Sequence, residues 1–500
     1  MLGFLGDLRD AVLAIPHVGL VVTLGWIGYV LVLGGWIVQQ KREPLATLSW
    51  LVSLAALPYL GFVIYYFLGP LRIRRTRLHR VRARAALPPP PRGLSPTPDA
   101  IELARLGQAV TGLPPTTATQ VELLVDGGAT YDALLAAIAG ARDHIHLEYY
   151  IYEPDRIGTA LRDALVERAR AGVRVRLLLD AMGSHRVSRR FLRPLLEAGG
   201  EHAWFHPAQL PRLWRRPWVN LRTHRKIVVI DGALGFTGGI NVSDEQDERV
   251  RADAYRDLHL RLEGDVVHAL AVTFLEDWAY ATRQPAPAPL RPAPRVGAIA
   301  SQVLVSGPDS SLEAIHRLHV SAIHAAARRV WLVTPYFVPG EAARMALTSA
   351  ALGGLDVRVL VPRRSDSLLV TYAARSYFDE LLAAGVSVYE YGPRLLHTKA
   401  LLCDDDLAIV GSANFDHRSF RLNFEMSVMF RDAGVASALA ALLEQECSVA
   451  SPRARAPASW RRDLPEGLAI AHALSASVVP FGTLSLDEAL RDREADRPQS

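Results

Sequence analysis

One eight-residue formula occurs twice in the chain: HRKIVVID at 224–231 and HTKALLCD at 397–404, each His-x-Lys-x-x-x-x-Asp. Two further blocks recur ahead of it in the same order. AIAGARDHIHLEYYIY (137–152) is answered by AIHAAARRVWLVTPYFV (322–338), and GVRVRLLLD (172–180) by GLDVRVLVP (354–362). Each block reads as the end of an amphipathic helix running into an apolar strand. Three ordered matches make the body an internal duplication. Helices that alternate with strands of buried character predict two α/β sandwich lobes, each with a largely buried mixed sheet, related by a pseudo-twofold axis.

The formula carries chemistry. Residues i and i+2 of a strand project to one side, so His224 and Lys226 are expected to point together, and likewise His397 and Lys399. Lysine grips phosphate oxygens, while a neutral imidazole attacks or shuttles a proton. Asp231 and Asp404 lie seven residues beyond their histidines and each opens a turn, so they read as supporting residues first and catalytic ones second. Each copy continues alike: TGGIN gives Gly238, Gly239 and Asn241, and VGSAN gives Gly411, Ser412 and Asn414. Glycine admits close backbone approach, and Asn or Ser can donate to phosphate oxygens. Further on stand Asp257 and Glu425, carboxylates suited to hold the Nδ1–H of a histidine that must act through Nε2. Two histidines meet the needs of phosphodiester transfer: one attacks phosphorus, and the other gives a proton to a poor alkoxide leaving group. Two lysines supply positive charge at the phosphate, so the scheme calls for no metal and no cofactor.

The first 75 residues are of another kind. Segments 18–38 and 45–68 hold 21 and 24 residues with no charge among them, and about 20 apolar residues span a bilayer. Half the chain is hydrophobic, with a mean hydropathy of +0.12. The first segment is too long for the apolar core of a signal peptide and lacks a basic leader. The expectation is a two-helix transmembrane hairpin over 1–75, its link QQKREP short. Seven arginines and no acid follow in RIRRTRLHRVRARA (72–85). That asymmetry places the arginine side, and the body beyond it, in the cytoplasm, with the arginines suited to anionic head groups. The tract ALPPPPRGLSPTPDA (86–100) is a stiff extended stretch. The expected order is therefore a hairpin to 75, a basic and proline-rich linker over 76–118, lobes over 119–295 and 296–450, and a tail over 451–500. The net charge of +5 agrees with an anionic partner. The two cysteines, Cys403 and Cys447, have no metal-ligand spacing and fit a reducing compartment.

With these residues in view, the sequence resembles the two-motif phospholipase D superfamily, and within it the bacterial cardiolipin synthases. The superfamily likeness runs over roughly 119–450. The narrower one adds the two-span N-terminus, HLEYYIY, DAMGS (180–184), LRTHRKIVVIDG, LEGDVVHALAVTFLEDW (262–278), VTPYFVP (333–339) and GSANFDHRSFRLNFE (411–425). The resemblance implies a phosphohistidine intermediate and a site of His224, Lys226, Asp231, Asn241, His397, Lys399, Asp404, Ser412 and Asn414, with Asp257 and Glu425 orienting the histidines. It implies transfer of a phosphatidyl group between two phosphatidylglycerol molecules, giving cardiolipin and glycerol, at a bacterial inner membrane. The sequence departs from the family at Tyr255, where Trp is expected, and in having Gly239 where the second lobe has Ser412; its tail is only loosely similar.

Other functions compete. A phospholipase D, or a phosphatidyltransferase with another alcohol as acceptor, would use the same residues. A nuclease of the superfamily suits the basic charge, but the arginines concentrate beside the membrane segment, so no nucleic acid is expected. A membrane scaffold with dead motifs conflicts with two complete formulas. No aspartate-rich motif of a metal-dependent CDP-alcohol transferase, P-loop or GxSxG elbow is present. The stretch QLPRLWRRPWVNLR (209–222) reads equally as a loop capping the lobe or as a membrane-dipping segment.

Overall fold

The computed structural model describes residues 17–38, 51–52, 54, 98–206, 221–284, 296–310 and 312–454. Among the described residues, helices α1 (Val18–Val38) and α2 (Pro98–Thr111) precede the lobes. The first lobe opens with β1 (Thr116–Ala118), β2 (Gln120–Val125), α3 (Asp126–Gly140) and β3 (His144–Tyr149). It continues with α4 (Arg156–Arg170), β4 (Arg174–Asp180), α5 (Arg189–Glu197) and β5 (Glu201–Phe205). It closes with β6 (Arg222–Thr223), β7 (Ile227–Ile230), β8 (Leu234–Gly238), β9 (Leu258–Glu263) and α6 (Val266–Thr282).

The second lobe repeats the plan. Its elements are β10 (Ile299–Ser306), α7 (Ala314–Ala325), β11 (Arg329–Val333), β12 (Phe337–Val338), α8 (Glu341–Leu352) and β13 (Asp356–Pro362). Then come α9 (Leu368–Arg375), α10 (Phe378–Ala383), β14 (Ser387–Tyr391), β15 (Ala400–Cys403) and β16 (Leu407–Gly411). Last are β17 (Phe415–Asp416), α11 (His417–Arg421), β18 (Asn423–Arg431), α12 (Ala433–Val449) and β19 (Ser451–Pro452).

The duplication is explicit in the sheets. The first runs β2-β9-β8-β7-β3-β4-β5, and the second contains β10-β18-β16-β15-β11-β13-β14 in matching order. The mixture of pairings also matches: β3–β4–β5 and β11–β13–β14 are parallel, while β7 and β15 run antiparallel to β3 and β11. Each sheet needs cover on both faces because its central strands are buried on both. On the outer faces α3 and α4 cover the first sheet, and α7 and α8 the second. Between the sheets lies one shared core built on α6 and α12. Helix α6 is buried all round from Val266 to Ala279, as its nearly continuous apolar sequence requires.

The expected linker over 76–118 is corrected at its end. Pro98 starts α2, a position where its missing N–H costs nothing, and Leu103 joins the second lobe's outer core. Gln302 Nε2 donates to the Ala104 and Leu113 carbonyls at 3.2 and 3.0 Å. Strand β1 then joins the second sheet through β10, although it stands at the head of the first lobe in sequence. The tail boundary at 451 also shifts: β19 extends the second sheet beyond β14, and Arg453 pairs with Glu390.

Among the described residues, no helix is long and apolar enough to cross a membrane. The first apolar segment does form α1, 21 residues without a charge. A Cβ added at Gly34 would meet Leu51 Cδ2 at 3.2 Å, so this helix lies against the start of the second apolar segment. The remainder of that segment, the arginine run 72–85 and the stretch 209–220 lie outside the described residues.

Candidate active site

The two His-x-Lys tripeptides do not lie inside strands, as expected from spacing, but in extended segments that lead into β7 and β15. The strands begin at the residue after each lysine because the backbone just before it pairs across the lobe boundary instead. Strand β6 runs parallel to β18, and His224 N donates to Phe424 O at 2.8 Å. Arg256 bridges to Leu396, and His397 N donates to Arg256 O at 2.7 Å. Each histidine is thus carried into the other lobe by backbone hydrogen bonds.

The side chains cross in the same way. His224 Nδ1 lies 3.0 Å from Glu425 Oε2 and 3.1 Å from Ser412 O, both in the second lobe. His397 Nδ1 lies 2.5 Å from Asp257 Oδ2 in the first. Burial pushes the His224 imidazole down to about 4, against the opposing pull of Glu425, and it also lowers His397. Burial raises both carboxyls, but Lys399 and His397 outweigh it at Asp257, and His224 with Lys226 outweighs it at Glu425, so both stay below the usual range. Each pair is therefore a neutral imidazole donating Nδ1–H to a carboxylate, with Nε2 as the nucleophilic lone pair. The two histidines keep 8 and 7 % of their surface, enough to be reached from outside.

Lys226 Nζ donates to His224 O at 2.7 Å, and Lys399 Nζ to His397 O. Burial first, then the charge of Lys399, brings Lys226 down to about 7; burial brings Lys399 to about 8. The charge of Lys399 acts on Lys226, and Glu425 and Asp257 act on both, so the two lysines stand in one neighbourhood. An anion entering there offsets the desolvation of both.

Asp231 and Asp404, read as supporting residues first and catalytic ones second, take the supporting position. Their carboxylates face the far end of the strands. Asp231 accepts from Arg142 N, Asp143 N and His144 N at 2.8–2.9 Å. Asp404 accepts from Ala327 N, Arg328 N and Arg329 N, the nearest at 2.7 Å. Both have left-handed φ, 53° and 55°. Seven extended residues carry the chain about 23 Å from its histidine, so each aspartate fastens a turn to the start of β3 or β11.

Of the remaining expected residues, Ser412 Oγ donates to Glu425 Oε2 at 2.5 Å and supports the acid. Asn241 is held into the scaffold by Ile151 N, Gln246 and Tyr131. Asn414 is buried, with Oδ1 lacking a partner among the described residues. The inequality of Gly239 and Ser412 has a steric origin: a Cβ at Gly239 would stand 2.1 Å from Asp257 Oδ1.

Several contributors escaped the sequence reading. The rings of Tyr150 and Tyr255 pack against His224 and His397 at 5.0 and 5.5 Å. Tyr255 thus still supplies a ring where Trp was expected. Thr223, beside His224, donates to Glu148 at 2.5 Å, and its N–H to Asp180 at 3.1 Å. Two arginines, Arg225 fully buried and Arg256 partly so, bind the lobes together next to the histidines' partners. Arg225 pairs with Asp277 and donates to Glu425 O and Ser306 O at 3.1 and 3.2 Å. Arg256 joins Asp126 at 2.8 Å to Glu446 at 2.9 Å. HLEYYIY and DAMGS contain three of these residues, but pairings over such separations leave no local pattern.

The family described as "Cardiolipin synthase, PLD-like domain" matches residues 134–254 and 320–447, and "Phospholipase_D-nuclease N-terminal" matches 26–70. A cardiolipin synthase of Geobacillus sp. (strain WCH70) is 38% identical over 432 residues, covering 83% of this chain and 85% of its own. Cardiolipin synthase 1 of Bacillus anthracis is 39% identical, covering 79% and 82%. The crystal structure of Haemophilus influenzae phosphatidylserine synthase shares the fold, with a TM-score of 0.58 at 13% identity over 75% of this chain and all of that one.

Proposed function

The chain belongs to the bacterial cardiolipin synthases of the phospholipase D superfamily, a phosphatidyltransferase family, and on that footing we propose how its two lobes share one reaction. His224 Nε2 attacks the phosphorus of one phosphatidylglycerol. A P–N bond forms, the P–O bond to the head-group glycerol breaks, and His397, protonated once the anionic phosphate is bound, gives its proton to the departing oxygen. A second phosphatidylglycerol enters where glycerol left. His397 takes the proton from its primary hydroxyl, that oxygen attacks phosphorus, the P–N bond breaks, and cardiolipin leaves. Lys226 and Lys399 hold the non-bridging oxygens, with Asn414 beside them. Glu425 and Asp257 keep both imidazoles in the Nδ1–H tautomer. Asn241, Ser412, Asp231 and Asp404 support from behind. The first-lobe histidine is taken as nucleophile on superfamily resemblance.

The observation that carries this reading is the crossed pairing of His224 with Glu425 and His397 with Asp257, which brings two alike histidine–carboxylate units and two lysines to one place. The test is purified protein with phosphatidylglycerol alone. Cardiolipin and free glycerol should appear in equal amounts, and both should be lost in His224→Ala and in His397→Ala. Phosphatidic acid in place of cardiolipin would mean that water is the acceptor.

We also read segments 18–38 and 45–68 as a two-span hairpin with the lobes on the cytoplasmic side. The uncharged length of α1, its contact with Leu51 and the arginine run after the second segment support this. Protease protection in sealed vesicles tests it: the lobes should be cut only from the cytoplasmic face.

A further inference from the structure

A hairpin tethers the chain to a membrane but does not aim the site at lipid. Beside the site the second lobe carries an apolar stripe that no described residue covers. Strand β13 ends at Pro362 on the side of the sheet where the histidines lie, and α9 follows it. Leu368, Leu369 and Tyr372 on α9 are 68, 47 and 48 % exposed, whereas Thr371, Ala373 and Ala374 are buried. Positions 368, 369 and 372 fall on one face of a helix. Apolar side chains exposed one by one are ordinary on a protein surface; three contiguous on two turns form a patch. Arg363 and Arg364, exposed at the head of the same segment, have no ion-pair partner among the described residues.

The patch is anchored at the site. Asp366, between the arginines and the stripe, accepts from Tyr336 OH at 2.6 Å, and its charge acts on Lys399. Tyr336 follows β11 much as Tyr150, which packs against His224, follows β3. The first lobe answers with Met182, 43 % exposed just beyond the end of β4, whose N–H donates to Asp180 Oδ1 at 2.9 Å. Apolar groups thus stand on both sides of the pseudo-twofold axis, at the strand ends that lead into the site.

Resting on the phosphatidyl-transfer reading above, we propose that Leu368, Leu369 and Tyr372, flanked by Arg363 and Arg364, are the surface through which the lobes dock on an anionic phospholipid bilayer. The leucines and the tyrosine ring enter the interfacial region, the arginines meet phosphate groups, and the mouth of the site is set against the head groups from which phosphatidylglycerol is drawn.

The experiment uses the full chain in phosphatidylglycerol nanodiscs. An environment-sensitive fluorophore is placed at Leu369→Cys, with Leu352→Cys as control; Leu352 is 73 % exposed at the far end of α8, away from the site. Spin-labelled lipid should quench the label at 369 and leave that at 352 unquenched. Equal quenching at both sites, or none at 369, overturns the proposal, including the case in which the stripe instead pairs with a second copy of the chain. A companion variant, Leu368→Ser/Leu369→Ser/Tyr372→Ser, should lose about tenfold or more in turnover of bilayer phosphatidylglycerol. It should keep wild-type turnover of a short-chain phosphatidylglycerol dispersed as monomers. Equal loss on both substrates assigns the stripe to the site itself and overturns docking. Quenching at 369 in a protein that makes no cardiolipin from either substrate would uphold docking while refuting the transfer reading.

Discussion

The Nδ1 of His397 lies 2.5 Å from the Oδ2 of Asp257, a residue of the opposite lobe. Glu425 returns the relationship by holding His224 at 3.0 Å. Neither lobe therefore contains a working unit: each supplies an imidazole whose tautomer the other fixes. The duplication needs both halves because the halves complete each other, beyond the need for two proton-transfer groups.

The crossing predicts which acid serves which step. Glu425→Gln should impair the residue that attacks, and Asp257→Asn the residue that protonates the leaving group. Each should cost about 10²–10⁴ in turnover, by analogy with loss of the orienting carboxylate in hydrolase triads. With a nitrophenyl leaving group, which needs no proton, Asp257→Asn should recover most of its rate and Glu425→Gln should not. Equal recovery in both would contradict the assignment.

Gly239→Ala should nearly abolish turnover, because the added methyl would occupy the space of the Asp257 carboxylate 2.1 Å away. Ser412→Ala removes one hydrogen bond from Glu425, so a loss of roughly tenfold is expected, the equivalent of about 1.4 kcal/mol. Initial rates on phosphatidylglycerol compare the two; a Gly239→Ala protein as active as the Ser412→Ala protein would show that Asp257 has room to move.

Asp231→Ala and Asp404→Ala should behave as stability variants. Each leaves backbone N–H groups without their acceptor, at a cost of about 1–3 kcal/mol per site. The fraction that stays folded should keep turnover within about threefold of wild type, since neither carboxylate approaches the histidines. Denaturant melts alongside active-fraction titration measure both quantities. Inactive but fully stable variants would restore these aspartates to the chemistry.

Stability should fall on the acid side. Burial holds His224 and His319 at about 4 and His259 at about 3, against 6.5 for a free imidazole. Between those values the unfolded chain binds more protons than the folded one. The stabilisation of the neutral forms is complete above pH 6.5 and is lost as pH drops toward 4. Each histidine takes away about 1.4 kcal/mol per pH unit over that window. His259 is fully buried with neither ring nitrogen hydrogen-bonded among the described residues, so His259→Leu should flatten the fall of melting temperature between pH 6.5 and 4.5. An unchanged slope would show that His259 does not titrate on unfolding.

Much of this was legible in the sequence, for identifiable reasons. The repeated blocks carried the duplication into two α/β lobes, because largely buried strands keep an apolar pattern and that pattern survived duplication. The chemical residue types were legible because attack on phosphorus and protonation of a poor leaving group call for few kinds of side chain. What was not legible is long-range. Spacing cannot say that Glu425 faces His224 rather than His397, or that β1 leaves its own lobe to join the other sheet. Asp231 and Asp404 were legible as supports because each opens a turn, and they recur with the motif because each copy needs the same turn fastened. Gly239 looked like a loss beside Ser412, yet it is the room that a shorter acid requires.

The central claim is one site with divided roles, His224 as nucleophile and His397 as acid. The most direct measurement incubates His397→Ala with a phosphatidyl ester of p-nitrophenol and maps the trapped protein by mass spectrometry. A burst of nitrophenol with a phosphatidyl adduct on His224 is expected, and neither in His224→Ala. An adduct on His397 in the His224→Ala protein, with none on His224 in the converse variant, would contradict the assignment.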